Sequence, residues 1–313
     1  MVNSESKSND APVKDYRSNS LWRLTMRRLF QQRSAIIGLI LLGLLVFSAV
    51  FAPLIAPYEP DQVLIGIENV EKRSPPCIHI LGCPKDQPQH IMGTDGNVRD
   101  VFSRIIYGSR ISLIVGITTV GFAILVGTLL GALAGYFGGS SDNFIMRSLD
   151  VLLAFPSLLL AIAIVSFLGK GIQNALLAIA IVSIPVYARV VRSSVLSVKE
   201  NAYVSASRAL GGSQTHILFR RILPNSFPPL IVRGTLGIGV AILEAAALSF
   251  IGLGAQPPLA EWGTMLGQER NQVFTAPHLV IFPGIAIMIT VLAFNLLGDG
   301  LRDAIDPRLR SAE

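Results

Sequence analysis

Residues 116–135 read GITTVGFAILVGTLLGALAG, twenty positions without a single charge. A helix that crosses a bilayer needs about 20 mostly apolar residues, because hydrocarbon offers no partner to an open backbone N–H or C=O. This stretch meets that demand alone. Gly127, Gly131 and Gly135 recur at every fourth position. They form a ridge of small residues along one helix face, which lets a second helix approach closely. The ridge announces a packed membrane bundle and says nothing of what the bundle carries.

The rest of the chain agrees. Of 313 residues, 51% are hydrophobic and 15% charged, against about 25% charged in ordinary soluble domains, and mean hydropathy is +0.56. The expected fold class is all-α, a polytopic bundle of six transmembrane helices. The six apolar stretches are roughly 35–55, 111–133, 149–168, 175–195, 230–252 and 279–297. The fourth carries Pro185, Arg189 and Arg192 in its second half. Pro156, Pro185 and Pro283 are expected to kink their helices rather than end them, since neighbouring helices satisfy the freed carbonyls. The first stretch is longer than a signal-peptide core and about 34 residues precede it, which favours an uncleaved anchor. No internal repeat is visible, which weighs against an inverted-repeat transporter.

Net charge is +6, and its placement sets topology. With the N-terminus inside, eighteen of the 26 Lys and Arg fall on the inner side and eight on the outer. The bias puts both termini in the cytoplasm. The expected organisation is a cytoplasmic segment 1–34, a first span 35–55, an extracytoplasmic loop 56–110, a core of five spans 111–299 and a cytoplasmic tail 300–313. Residues 93–110 alternate Arg99, Arg104 and Arg110 with Val101, Phe102, Ile105 and Ile106. That spacing predicts an amphipathic helix lying on the outer face. Trp262, on the last outer loop, is expected to anchor at the interface. Cys77 and Cys83 share the outer loop, where an oxidising compartment favours a disulfide over two free thiols. His79 and His90 lie nearby, but the spacing matches no zinc pattern.

Residues 203–225, YVSASRALGGSQTHILFRRILPN, are too polar to cross a bilayer and too apolar for a linker. Two short helices are expected, over 204–210 and 217–222, joined at Gly211-Gly212, where the backbone turns cheaply. Ser213 can cap the second, and Pro224 is expected to end it. Such an element is either a docking surface for a partner groove or a helix lying on the inner leaflet.

The stretch resembles the cytoplasmic coupling motif of importer permeases driven by ATP-binding cassettes, written EAA-x3-G-x9-I-x-LP. Gly211, Leu223 and Pro224 match in register, and Ala206 fills the central alanine. Ser205 stands for the usual Glu, Ser207 for the second Ala and Arg221 for the Ile. Three further stretches resemble the C-type permease of the dipeptide/oligopeptide/nickel importer family, a type I importer fold: GTDGNVRDVFSRIIYGSRISL (93–113), LSFIGLGAQPPLAEWG (248–263) and FNLLGDGLRDAIDPRLR (294–310). Val98 departs from the glycine usual before Arg-Asp. The loop 58–90 matches least well.

The resemblance implies a non-catalytic multi-pass subunit in the plasma (inner) membrane of a prokaryote. A second homologous permease would complete the pathway, two cytoplasmic ATPases would drive it, and an extracytoplasmic binding protein would deliver cargo. No cofactor is expected on this chain, with ATP and Mg bound by the ATPases. The sequence indeed lacks G-x4-G-K-[ST], the backbone cradle of a nucleotide phosphate. Within a coupling loop spanning 198–226, Ser205, Ala206, Ser207, Arg208, Leu210, Gly211, Ile217, Leu218, Phe219, Arg220 and Pro224 would meet the ATPase. Gly211 supplies the turn, and Leu210, Ile217, Leu218 and Phe219 supply apolar contact. Short peptides are the expected cargo, with nickel chelates or other peptide conjugates as alternatives. An ion-coupled secondary transporter is the alternative of a different class, and a membrane assembly factor a third.

Glu244 lies inside the fifth span, where an acid is expensive and functional by default. It either contacts cargo or gates the pathway, or it only bonds a neighbouring span, the reading favoured because no intramembrane base is an obvious partner. Asp150 is read as structural, paired with Arg147 three residues before it.

Overall fold

A computed structural model describes residues 26–305. The expected cytoplasmic segment 1–34 lies largely outside the described residues, as does the end of the C-terminal motif. The helices are α1 (Arg33–Val50), α2 (Ala52–Ile55), α3 (Val101–Phe137), α4 (Gly139–Leu153), α5 (Ser157–Leu168), α6 (Ile172–Val198), α7 (Ala202–Ala209), α8 (Gln214–Ile217), α9 (Leu223–Phe250), α10 (Trp262–Glu269) and α11 (His278–Ile305). Among the described residues there are only isolated β-bridges and no strand. Helices α1, α3, α6, α9 (running on from α8) and α11 are each long and apolar enough to cross a membrane. The pair α4–α5 makes a sixth span if counted as one, bent by 90°.

The glycine ridge finds its partner in α6. A Cβ on Gly127 would lie 2.8 Å from the Tyr187 Cβ and 3.0 Å from the Ala188 amide, and one on Gly135 would lie 3.0 Å from the Arg192 carbonyl. Backbone meets backbone along this seam, so α3 and α6 form the centre of the bundle. Val115, Ala123, Ile179, Val191 and Val195 are buried around it. Two ion pairs fasten α4 to α6: Arg192 holds Asp142, and Arg189 holds Asp150. Asp150 therefore pairs across helices and not with Arg147, because its carboxylate turns towards α6.

The bend between α4 and α5 is sharper than a proline kink. Ala154 to Pro156 break the helix, and the 12-residue α5 restarts at Ser157. Twelve residues are too few to span hydrocarbon alone.

The segment before α3 also departs from expectation. No amphipathic helix lies over 93–110. The chain turns through 93–100, and α3 then runs unbroken from Val101 into the membrane stretch. Asp100 starts it, accepting from the Ser103 N–H at 2.7 Å. Arg99 and Arg104 are buried at 4% and 1% exposure, because acids and carbonyls surround them. Arg99 Nε donates to Asp95 at 2.8 Å, and Arg104 Nη1 donates to the Pro60 carbonyl at 2.7 Å and to the Pro258 carbonyl at 3.3 Å. Arg110 donates to the Ala49 carbonyl at the end of α1.

Residues 58–100 and 253–278 thus fold together as a cap over one end of the bundle. Arg73 Nε meets Glu269 at 2.9 Å, and Glu269 also accepts from the Gly96 N–H at 2.9 Å. Trp262 is buried here, its indole N–H donating to the Ile105 carbonyl at 3.1 Å. It packs into the protein rather than anchoring at an interface, because α10 lies against the start of α3. Val98 takes φ +58°, a left-handed conformation costing an L-residue about 1–2 kcal/mol. Its full burial offsets that by a comparable amount, about 1.5–3 kcal/mol. Cys77 and Cys83 are joined by a disulfide, with Cα atoms 5.4 Å apart.

Candidate functional site: the connecting segment and a cavity

The segment between α6 and α9 is a helix–turn–helix. Helix α7 ends in a turn where the Gly211 N–H donates to the Arg208 carbonyl and the Gly212 N–H to the Ser207 carbonyl, both at 3.0 Å. Gly211 carries φ +80°, which glycine adopts at no steric cost. Ser213 caps α8, accepting from the His216 N–H at 3.3 Å.

Pro224 does not end the second helix. Helix α8 passes through one π-helical turn, Leu218–Ile222, and continues as α9. A proline in a helix removes one N–H and crowds the carbonyl four residues earlier. The wider turn accommodates that crowding, and the Leu223 N–H reaches back five residues to the Leu218 carbonyl. Nearby side chains take up other carbonyls of the turn: the Asn225 amide donates to Arg221 at 2.7 Å and the Ser226 hydroxyl to Ile222 at 3.0 Å. The result is a continuous helix from Gln214 to Phe250.

Burial sorts the residues of this segment. Val204, Ile217, Leu218 and Ile222 are all at most 4% exposed and join the bundle's own core. Ile217 and Leu218 are therefore withdrawn from any outward contact, since their helix face seats the segment on the bundle. Leu210 is 88% and Phe219 53% exposed. Ser205, Ala206, Arg208, Gly211, Arg220 and Pro224 are exposed with them, and Ser207 is half-buried.

Glu244 lies elsewhere, on α9, half-buried at the wall of a cavity of about 450 Å3. This falls within the usual range of small-molecule sites, about 300–1,000 Å3. The Ser157 hydroxyl, at the start of α5, donates to its carboxylate at 2.9 Å. The helix break thus delivers a polar group to the one acid in the cavity. Arg233, Tyr187, Ser183 and Asn295 line the same space. Sequence reasoning missed Arg233, counting it among the inner-face cations, although its spacing from Glu244 repeats the helical period. Among the described residues there is no cluster of His, Cys, Asp or Glu fit to hold a metal ion. Cys77 and Cys83 sit in the cap, away from both features.

A bundle of five or six apolar spans, an interrupted span, and an exposed helix–turn–helix between two of them define a polytopic α-helical membrane protein. Comparison with solved structures agrees: two crystal forms of the MetNI methionine ABC transporter in inward-facing conformations superpose with TM-scores of 0.53 and 0.55. They cover 66% and 65% of this chain and 98% and 97% of theirs, at 19% and 18% identity, a likeness of fold. The binding-protein-dependent transport system inner membrane component model matches residues 127–311, and the N-terminal TM domain of oligopeptide transport permease C matches 20–76. The dipeptide transport system permease protein of Alkalihalophilus pseudofirmus is 46% identical over 97% of this chain and 95% of its own length. The glutathione transport system permease protein of Pectobacterium atrosepticum is 44% identical over 96% and 95%. The di/tripeptide transport system permease protein of Pseudomonas aeruginosa is 45% identical over 90% of each. This chain belongs to the binding-protein-dependent transport system inner membrane component family, the permease subunits of ABC importers.

Proposed function

We propose that this chain forms half of the translocation pathway for short peptides and takes its drive from cytoplasmic ATPases gripping residues 203–225. The observation that carries the coupling role is the outward pair Leu210 and Phe219, held on a segment whose opposite face is sealed into the bundle. An apolar pair beside Arg208 and Arg220 suits a partner groove with an acidic rim. The segment is tethered to α6 at one end and continuous with α9 at the other, so its displacement rocks both spans. Alternating access then follows as a rigid-body transition biased by ATP-driven closure of the partner. In this reading both termini and the loop 198–226 face the cytoplasm, the cap faces outward towards the binding protein, and a second homologous permease completes the pathway. This chain performs no chemistry; the ATPases bind ATP and Mg.

Relatives named for dipeptides, di/tripeptides and glutathione support peptides as cargo. The test is ATP hydrolysis by the purified complete complex with its binding protein. Di- and tripeptides are expected to stimulate it severalfold and nickel chelates to leave it at its basal rate. Stimulation by chelates alone would overturn the peptide assignment. Leu210→Cys is expected to crosslink to the ATPase; crosslinking to lipid alone would overturn the coupling role.

A further inference from the structure

The cavity that contains Glu244 also contains an unpartnered cation. Arg233 and Glu244 lie eleven residues apart on α9, three helical turns, which places both on one face about 16 Å apart along the axis. Gly237, Val240 and Ala241 occupy the same face between them, and all five residues line the cavity. Tyr187 marks the middle of the stripe, its hydroxyl against Gly237.

The two charges do not satisfy each other. Among the described residues Arg233 forms no ion pair or hydrogen bond, and Glu244 receives only the hydroxyl of Ser157. Glu244 is a half-buried acid inside the apolar stretch of α9, where a charge is expensive and is retained for a pathway or a ligand; Arg233 is exposed at the mouth of the same cavity. Here one charge of each sign is kept at a fixed interval, too far apart for a direct bridge between them. A zwitterion satisfies both at once.

We propose that this stripe is a station for the backbone of a di- or tripeptide, Glu244 receiving the terminal ammonium and Arg233 the terminal carboxylate. Two or three extended residues span about 7–11 Å, and two long side chains make up the remainder of the interval. A single amino acid carries both charges on one carbon and reaches only one of them. Leu152, Leu153 and Val240 on the walls contact peptide side chains without polar selection, so recognition rests on the termini. The inference rests on the peptide reading of cargo given above and deepens it.

The experiment is uptake of radiolabelled dialanine by the complete complex in proteoliposomes, at saturating peptide-loaded binding protein, with assembly of each variant verified by co-purification. Glu244→Gln and Arg233→Gln are each expected to lower uptake at least tenfold, and Glu244→Asp to retain at least half. The exchanged pair Arg233→Glu with Glu244→Arg is expected to exceed either single reversal severalfold, because the peptide can bind end for end. A hydrogen bond that merely joined Glu244 to Ser157 would not be rescued from three turns away. A wild type that transports dialanine while both neutral variants match it overturns the station alone. So do an Asp variant as poor as the Gln variant and an exchanged pair no better than its singles. A wild type that accepts no peptide overturns the cargo assignment, and the station with it.

Discussion

The cap and the connecting segment are both polar elements on an apolar bundle, yet they are held in opposite ways. In the cap, directional bonds join positions far apart in sequence: Arg73 to Glu269, Arg104 to Pro258 and Trp262 to Ile105. In the connecting segment the hydrogen bonds are mostly local, within each turn, as with Ser213 to His216 and Asn225 to Arg221. Its hold on the bundle is the apolar seat of Val204, Ile217, Leu218 and Ile222. Buried polar bonds fix one arrangement, because any other leaves groups unpaired at high cost. Apolar contact is non-directional, so a small shift costs little while area stays buried. A rigid cap and a connecting segment able to shift as a preformed piece follow from that difference.

The largest effect is expected at the connecting segment's turn. Gly211→Pro demands φ near −65° where the chain has +80° and removes the N–H that bonds the Arg208 carbonyl. The turn must rebuild, so α7 with Leu210 is displaced relative to α8. Transport is expected to fall to background while membrane insertion and cap stability stay at wild-type values, measured by uptake and by thermal unfolding of the purified complex. Wild-type uptake would show that the segment does not transmit force.

Next in size is Arg104→Met in the cap. The side chain is fully buried and donates to two carbonyls from different loops. Methionine fills similar volume but leaves the carbonyls unpaired and Asp95 with one cation fewer nearby. Removing one partner from a buried charged network costs about 3–5 kcal/mol. A lowered unfolding midpoint and faster hydrogen exchange confined to the cap, 58–100 and 253–278, are the expected readouts. An unchanged midpoint would place the cap's strength elsewhere.

The same contrast explains what the sequence revealed. The glycine ridge and its close contact were readable because both depend on one helix's own period. The turn at Gly211 and the cap at Ser213 were equally local. Arg104 and Trp262 were misread as surface residues, since what covers them comes from a part of the chain more than 150 residues away. Ile217 and Leu218 were assigned to an outward face because nothing local distinguishes their side of the helix from that of Phe219. Pro224 was read as a stop, as proline rules for a regular helix require, whereas a π turn accommodates it. Glu244 was noticed and Arg233 was not, because their shared cavity exists only once α4 and α5 bend around it.

The smallest effect is expected from pH, and it sharpens the comparison because only the cap should feel it. His90 is buried between Asp100, 2.9 Å from Nδ1, and Glu68, 3.1 Å from Nε2. Tyr58 stacks on the imidazole and donates its hydroxyl to Glu68 at 2.7 Å. Burial opposes a charge on the ring, but the hydrogen bond and field of Asp100, reinforced by Glu68, outweigh it and raise the pKa of His90. Burial together with Glu68 pushes the Tyr58 hydroxyl up as well, so it stays protonated. An unfolded histidine titrates near about 6.5. The charged ring therefore contributes its full stability below that pH, and the contribution is lost as pH rises through the higher folded value. The unfolding midpoint of the cap is expected to fall across that window by less than Arg104→Met lowers it, and His90→Gln should flatten the profile. A midpoint in wild type that is constant, or that rises with pH, would mean that the ring is held neutral and the acids on either side are balanced by something else.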